Sequence, residues 1–230
     1  MNPAEPTPQR REIRSFVRRE GRMTDSQKRA LEEWWPRYGL ERGQPLPAAP
    51  IVMEIGFGNG DHLLTRAASE PEKNFLGCEV HRPGVGRVLN RAHAANLKNL
   101  RVACHDAVEV LRDWLPERSL AELVVYFPDP WPKKRHHKRR LVQPPFAQLA
   151  ASRLAPGGYI HVATDWEEYG AQVLEVLAAT PGLRNTAPGF APRPATRPET
   201  KFERRGLRLG HGVCDVVFRR EADESADDRR

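Results

Sequence analysis

The chain has 230 residues, 39% hydrophobic and 29% charged, with 37 Lys+Arg against 30 Asp+Glu and a formal net charge of +7. This composition belongs to a globular chain of one large α/β domain or two small ones, and excludes disordered and fibrous classes. No apolar run of about 18 residues occurs, which excludes a membrane-spanning helix. The three cysteines, Cys78, Cys104 and Cys214, show no CxxC spacing. That argues against a disulfide framework and a zinc ribbon, and the expected location is the cytoplasm.

Residues 1–9 carry three prolines and no apolar pattern, and read as a flexible start. Residues 10–23 are Arg-rich. Thr24 to Tyr38 reads as a helix, with Thr24 or Asp25 as its cap and Leu31, Trp34 and Trp35 on one face. Residues 1–49 thus form a basic extension, separated by a Pro-rich loop from a domain expected over residues 50–220. From there strand and helix alternate. Strands are expected at 51–55, 74–80, 100–104, 123–127 and 159–163. Helices are expected from about 61, and over 83–95, 107–114, 145–154 and 166–179. The alternation implies a mainly parallel sheet with right-handed crossovers. Residues 181–200 are Pro-rich. A last strand at 213–218, with no crossover helix of its own, is expected antiparallel at the sheet edge, as a hairpin with residues near 202–209. Residues 221–230, with five acids and two arginines, read as a solvated tail.

Glu54-Ile-Gly56-Phe-Gly58-Asn-Gly60 closes the first strand and opens a helix. Glycines permit positive φ and let a ligand approach the backbone. The spacing is G-x-G-x-G, and an acid precedes it. A pyrophosphate needs amides without a neighbouring carboxylate, so a cationic, phosphate-free ligand such as S-adenosylmethionine fits better than a dinucleotide. Glu79, at the end of the second strand, is placed to accept both ribose hydroxyls. Asp106, after the third strand, can meet an adenine amino group, although Asp106-Ala-Val-Glu109 also has capping-box spacing.

The fourth strand ends in Phe127-Pro-Asp129-Pro-Trp131-Pro. A carboxylate between two prolines is rigidly aimed, and it can accept two hydrogen bonds from the N1–H and N2–H₂ edge of guanine. Trp131 offers a face for base stacking. Lys133 to Arg140 follows directly, with six positive residues, two histidines and no acid. This run favours phosphate contact. His136 and His137 lack nearby carboxylates or cysteines, so no metal site is expected.

Those motifs, with Gly77-Cys-Glu-Val-His81, Thr164-Asp165-Trp166 and Thr200-Lys-Phe-Glu203, occur in an order that closely resembles the bacterial tRNA (guanine-N7)-methyltransferase family, the TrmB type. The likeness runs from about Arg11 to Phe218. It implies a Rossmann-like class I methyltransferase fold, a seven-stranded sheet with one antiparallel strand and helices on both faces. It implies S-adenosylmethionine as methyl donor, S-adenosylhomocysteine as product, and the guanosine at position 46 in the variable loop of tRNA as target. Glu54, Gly56, Gly58, Gly60, Glu79, Asp106 and Asp129 would hold the cofactor, with Asp129 also catalytic. Lys133, Asp165, Thr200, Lys201, Phe202 and Glu203 would contact substrate. Arg135, His136, His137, Lys138, Arg139 and Arg140 would bind RNA. The expected partner is tRNA, with no membrane, and the protein a monomer or weak homodimer. Asp165 and Thr200 each have a rival reading as helix caps. A small-molecule methyltransferase and a silent RNA-binding module are the competing functions.

Overall fold

Ile51–Ile55, five consecutive buried residues, form the central strand β1 of a computed structural model that describes residues 14–17, 21–46, 50–197, 203 and 212–222. The expected flexible start, the stretch Thr200 to Phe202, the hairpin partner near 202–209 and the tail beyond residue 222 lie outside the described residues. A strand buried on both faces reads as a continuous apolar run, which is what parallel-sheet interiors require. Around β1 stand β2 (Asn74–Cys78), β3 (Leu100–Ala103), β4 (Leu120–Tyr126), β5 (Leu154–Thr164), β6 (Leu183–Asn185) and β7 (Cys214–Arg220). Their order is β3-β2-β1-β4-β5-β7-β6. β1 pairs in parallel with β2 and β4, and β5 in parallel with β4. β7 runs antiparallel to both β5 and β6. This is the expected fold class, a mainly parallel seven-stranded sheet with one antiparallel strand.

Helices cover both faces. α1 (Asp25–Glu33), α2 (Trp35–Tyr38), α3 (Asp61–Ser69) and α4 (Arg82–Ala94) enclose one face, where Val52, Phe75 and Val102 pack with Ala30, Leu63 and Leu89. α5 (Ala107–Asp113), α6 (Pro144–Arg153) and α7 (Glu167–Ala178) enclose the other, where Met53, Leu123 and Ile160 pack with Leu111, Phe146 and Val173. The order reverses between β1 and β4. Strand C-termini on either side of such a reversal open a crevice for ligands.

Three expectations need correction. The helix expected over 24–38 breaks at Trp34, because Pro36, in the first turn of α2, has no N–H to donate to an earlier turn. Thr24 is its cap, in a reciprocal box with Gln27. β5 begins at Leu154: Leu154 pairs with Leu120 and Tyr159 with Glu122, so residues 155–158 bulge out. β7 lies inside the sheet, and three-residue β6 takes the edge. A strand that short, in a Pro-rich stretch, leaves no alternation to read.

At the end of β4 away from the crevice, Arg66 is 4% exposed. It donates to Glu70 at 2.6 and 2.8 Å and to Glu122 at 2.5 and 3.2 Å. Lys73 and the Tyr159 hydroxyl also donate to Glu122. The hydrogen bond from Arg66 brings the Glu70 carboxyl down from 4.5 to about 2. At Glu122 burial opposes ionisation, but the bonds from Arg66, Lys73 and Tyr159 outweigh it and the net shift is downward. Arg66→Ala strands a buried carboxylate and is expected to cost about 3–5 kcal/mol at pH 7 in urea denaturation. Because these carboxyls titrate lower when folded, their contribution is complete above the ordinary carboxylate range and fades as pH falls toward 2. The difference between Arg66→Ala and the parent should shrink over that interval.

Candidate active site

Gly56, Gly58 and Gly60 all adopt left-handed backbone, with φ of +70°, +54° and +74°. A Cβ at Gly60 would sit 2.3 Å from Val88, so this glycine serves the packing of α3 on α4. A Cβ at Gly56 or Gly58 would meet nothing within 4 Å. The turn therefore presents bare backbone to open space. The Glu79 carboxylate holds it there, accepting the Gly58 N–H at 3.1 Å through one oxygen and the Val80 and His81 N–H groups at 2.7 and 2.9 Å through the other.

Beside this turn lies a cleft of about 370 Å³, within the usual range for small-ligand sites. Gly56, Glu79, Asp106 and Asp129 line it, with Ile55, Tyr126 and Phe127 as apolar wall. Among the described residues no Lys or Arg lines it. Asp106 caps α5, accepting the Val108 N–H at 2.9 Å, and lines the cleft as well. Glu109 does not complete a capping box; it pairs with His105 at 2.5 Å. A cleft lined by these carboxylates disfavours a pyrophosphate and suits a cationic adenosyl compound. Its donor set fits S-adenosylmethionine.

Asp129 stands on a strained turn. Phe127 and Trp131 both have positive φ, +50° and +46°, a conformation costly for bulky residues. Several bonds hold it. The Phe127 N–H donates to the Ala163 carbonyl at 2.7 Å, and the Asp129 carboxylate accepts the Trp131 N–H at 3.0 Å. The Trp131 indole N–H donates to the Ser15 carbonyl at 3.1 Å. Ser15, Phe16 and Val17, which motif reading missed, line one wall of the cleft. Arg14 beside them reaches Glu109 at 3.8 Å.

The basic run forms a 3-10 helix, Lys134–Arg139, with Lys133 at its start. Lys133, Arg135 and Lys138 are exposed, and His136, His137 and Arg139 half-buried. Arg139 lies over the Trp131 ring, 5.1 Å from its centroid, so the face expected for base stacking carries a guanidinium. Burial, then the surrounding Arg135, Arg139, Lys133 and Lys138, lowers the His136 imidazole below its ordinary value. Arg140 departs from the expected RNA contact. It is 2% exposed and donates to the Pro130 carbonyl at 2.8 Å and to Gln172 at 2.5 Å. It holds the turn from beneath and cannot reach a phosphate.

Among the other expected residues, Asp165 is exposed just past β5, and α7 has no side-chain cap, so the capping alternative is not realised. Glu203 is buried against Arg197 rather than open to substrate. Glu54 is buried at the base of the glycine turn, 2.7 Å from His62, and does not line the cleft. Among the described residues no group of three or more His, Cys, Asp or Glu is placed to hold a metal ion.

A family model described as a putative methyltransferase matches residues 48–216. The tRNA (guanine-N(7)-)-methyltransferase of Aromatoleum aromaticum is 59% identical over 91% of this chain and 84% of its own length. That of Cronobacter sakazakii is 53% identical over 91% and 92%. The chain belongs to the tRNA (guanine-N(7)-)-methyltransferase family. Among solved structures, the 16S rRNA methyltransferase KamB matches with a TM-score of 0.56 at 16% identity, covering 88% of this chain and 96% of that one. At that identity the likeness is one of fold.

Gly56→Ala places a side chain in the opening and strains φ. Calorimetry is expected to give about ten-fold weaker S-adenosylmethionine binding. Gly182→Ala, at φ +77° with equally open surroundings but in a remote turn, should leave that affinity unchanged.

Proposed function

We propose that the protein transfers a methyl group from S-adenosylmethionine to N7 of a guanosine in tRNA, at position 46 of the variable loop, giving 7-methylguanosine and S-adenosylhomocysteine. The observation that carries this reading is the juxtaposition of an acidic cleft, lined by no Lys or Arg among the described residues, and an exposed basic helix, joined by the strained turn that bears Asp129. The names of the relatives support the same substrate and atom.

When bound, S-adenosylmethionine supplies a methyl group activated by a sulfonium centre. Gly56 and Gly58 leave room for it, Gly60 lets α3 pack on α4 behind the turn, Glu79 and Asp106 take its ribose and adenine donors, and Glu54 sits at the base of the turn. Guanine N7 has a lone pair and no proton, so the chain needs no general base for deprotonation. The neighbouring groups agree: burial pushes the Tyr126 phenol and the Cys78 thiol up, which keeps both protonated. Asp129 does two things. Its carboxylate takes the N1/N2 edge of the guanine, setting N7 in line with the methyl group, and its charge favours the cationic ring that forms. Lys133 and Asp165 meet the substrate near the strand ends, and Arg135, His136, His137, Lys138 and Arg139 meet its phosphates.

We take residues 50–220 as the catalytic domain, 1–49 as a basic extension whose α1 and α2 pack on it, and 221–230 as an acidic tail. Among the described residues no helix is long and apolar enough to cross a membrane. A cytoplasmic monomer or weak homodimer acting on tRNA fits this reading.

Asp129→Asn is expected to lower kcat by about 10²–10³ and change S-adenosylmethionine affinity little. A normal rate would remove the catalytic role. The logarithm of tRNA affinity should fall linearly with that of salt concentration, and neutralising Lys133, Arg135 or Lys138 should each reduce the slope by about 0.7–0.9. Burial and then the neighbouring cations hold His136 low; an approaching phosphate offsets the cations, so binding is expected to take up a proton there and to tighten as pH falls below neutrality. His136→Gln should flatten that pH dependence in a filter-binding titration.

A further inference from the structure

A buried polar layer crosses the sheet next to the Asp129 turn. Glu54, Val124, His161 and Val217 stand opposite one another on β1, β4, β5 and β7. Side chains alternate along a strand, so Tyr126 and Asp215, each two residues from that row, share its face. His161 is 1% exposed. Its Nδ1 faces the Tyr126 hydroxyl at 3.0 Å, and its Nε2 faces the Asp215 carboxylate at 2.7 Å. Asp215 is buried as well, and takes the Arg197 guanidinium at 2.7 and 2.8 Å. On the other side the Tyr126 ring meets the His62 ring edge-on, with centroids 4.8 Å apart. His62 in turn bonds Glu54 at 2.7 Å. Burial outweighs the pull of Asp215 and lowers the His161 imidazole, and burial raises the Tyr126 phenol. Both groups are therefore neutral. The phenol O–H donates to Nδ1, and the Nε2–H donates to Asp215, which satisfies every partner.

We propose that Tyr126 and His161 are positioning residues for methyl transfer, a brace that holds the Asp129 turn in a fixed relation to the glycine turn. The inference deepens the proposed reaction and rests on that reading. Tyr126 immediately precedes Phe127, whose φ of +50° begins the strained bend. Such a bend relaxes unless the chain entering it is held. The Phe127 N–H bond to Ala163 holds the backbone to β5. The Tyr126 hydroxyl bond to His161 ties the preceding side chain to the same strand. The Arg197 guanidinium, fixed by Asp215, lies 5.9 Å from the Phe127 ring centroid. Toward β1, Tyr126 packs on His62, and His62 fixes Glu54, two residues before Gly56. The layer thus joins the turn expected to present the methyl donor to the turn expected to present the base. In-line displacement requires those two turns to keep their alignment. A phenylalanine ring would fill the place of Tyr126 equally well. The hydroxyl adds direction rather than volume, because a buried hydrogen bond rigidifies one arrangement of its partners. Tyr126 and His161 then act through the two turns and touch no reacting atom.

The test takes two readouts on Tyr126→Phe, His161→Gln and the double variant. The first is amide hydrogen exchange at the Phe127 N–H, which enters the turn. Each single variant is expected to speed it about ten-fold, while exchange at the Phe75 N–H on β2 changes less than two-fold. The second is single-turnover methyl transfer to unmodified tRNA, with dissociation constants measured for S-adenosylmethionine and for tRNA. The transfer rate is expected to fall about ten-fold while both constants move less than two-fold. The double variant should be no worse than the poorer single one, because hydroxyl and ring act as one unit. Multiplied losses there would show two independent roles and would overturn the brace. A weakened affinity that accounts for the whole loss would make the layer a binding contact, and would also overturn it. So would lower melting temperatures with unchanged exchange at Phe127 and an unchanged transfer rate. If His161→Gln does not fold, Tyr126→Phe, which deletes a single oxygen, carries both readouts, and normal exchange with a normal rate there contradicts the proposal. Exchange is read without tRNA. A parent protein that labels no tRNA would remove the reaction, whereas faster exchange in the variants would leave the brace on the turn standing.

Discussion

The Phe127–Trp131 turn is the constraint on which the site depends. Two bulky residues with positive φ bracket a carboxylate held between prolines. Such a bend persists only where its surroundings over-determine it. Here they do so from several directions: Ala163 on β5, the Ser15 carbonyl above, and the Arg140 guanidinium below. Arg140 is buried between the Pro130 carbonyl and α7, where its guanidinium also meets Gln172, Glu168 and the Tyr169 ring, so it ties the turn to that helix. The eight-residue basic run is thus divided. Its first seven residues face outward to varying degrees and its last turns in.

The second organising feature is the separation of charge. Carboxylates gather at the ends of β2, β3 and β4, around a cleft that no Lys or Arg among the described residues lines. The cations stand next to it, on the 3-10 helix. A sulfonium donor and a polyanionic acceptor need opposite fields, and the turn at Asp129 is where the two meet. Placing the reacting atoms at that boundary lets a single carboxylate orient the base and favour the charge it gains.

Much of this was legible from the residues. Apolar runs of four to six residues separated by amphipathic stretches gave the parallel sheet, and the glycine turn gave the cleft its floor. The acids at strand ends were found because topology fixes where strand ends go. What escaped was non-local or without pattern. Asp215 meets Arg197 across 18 residues and His161 across 54, separations that cross element boundaries and leave no local pattern to read. A histidine and an aspartate inside otherwise apolar strands were the available signals, since a buried polar side chain requires a partner. Glu54 and Glu203 were recognised as important, but sequence carries no sign that one turns to His62 and the other to Arg197. Three residues are too few for β6 to show alternation, and the strong helical pattern around Pro36 hides the break at Trp34.

The central claim is the transfer of a methyl group to guanine N7 in tRNA. The measurement that tests it most directly is incubation of the protein with unmodified tRNA and methyl-labelled S-adenosylmethionine, followed by chemical mapping of the labelled base. The account requires 7-methylguanosine at a single guanosine of the variable loop. Label on any other atom or base would contradict the role assigned to Asp129, and absence of label despite intact cofactor binding would contradict the proposed reaction itself.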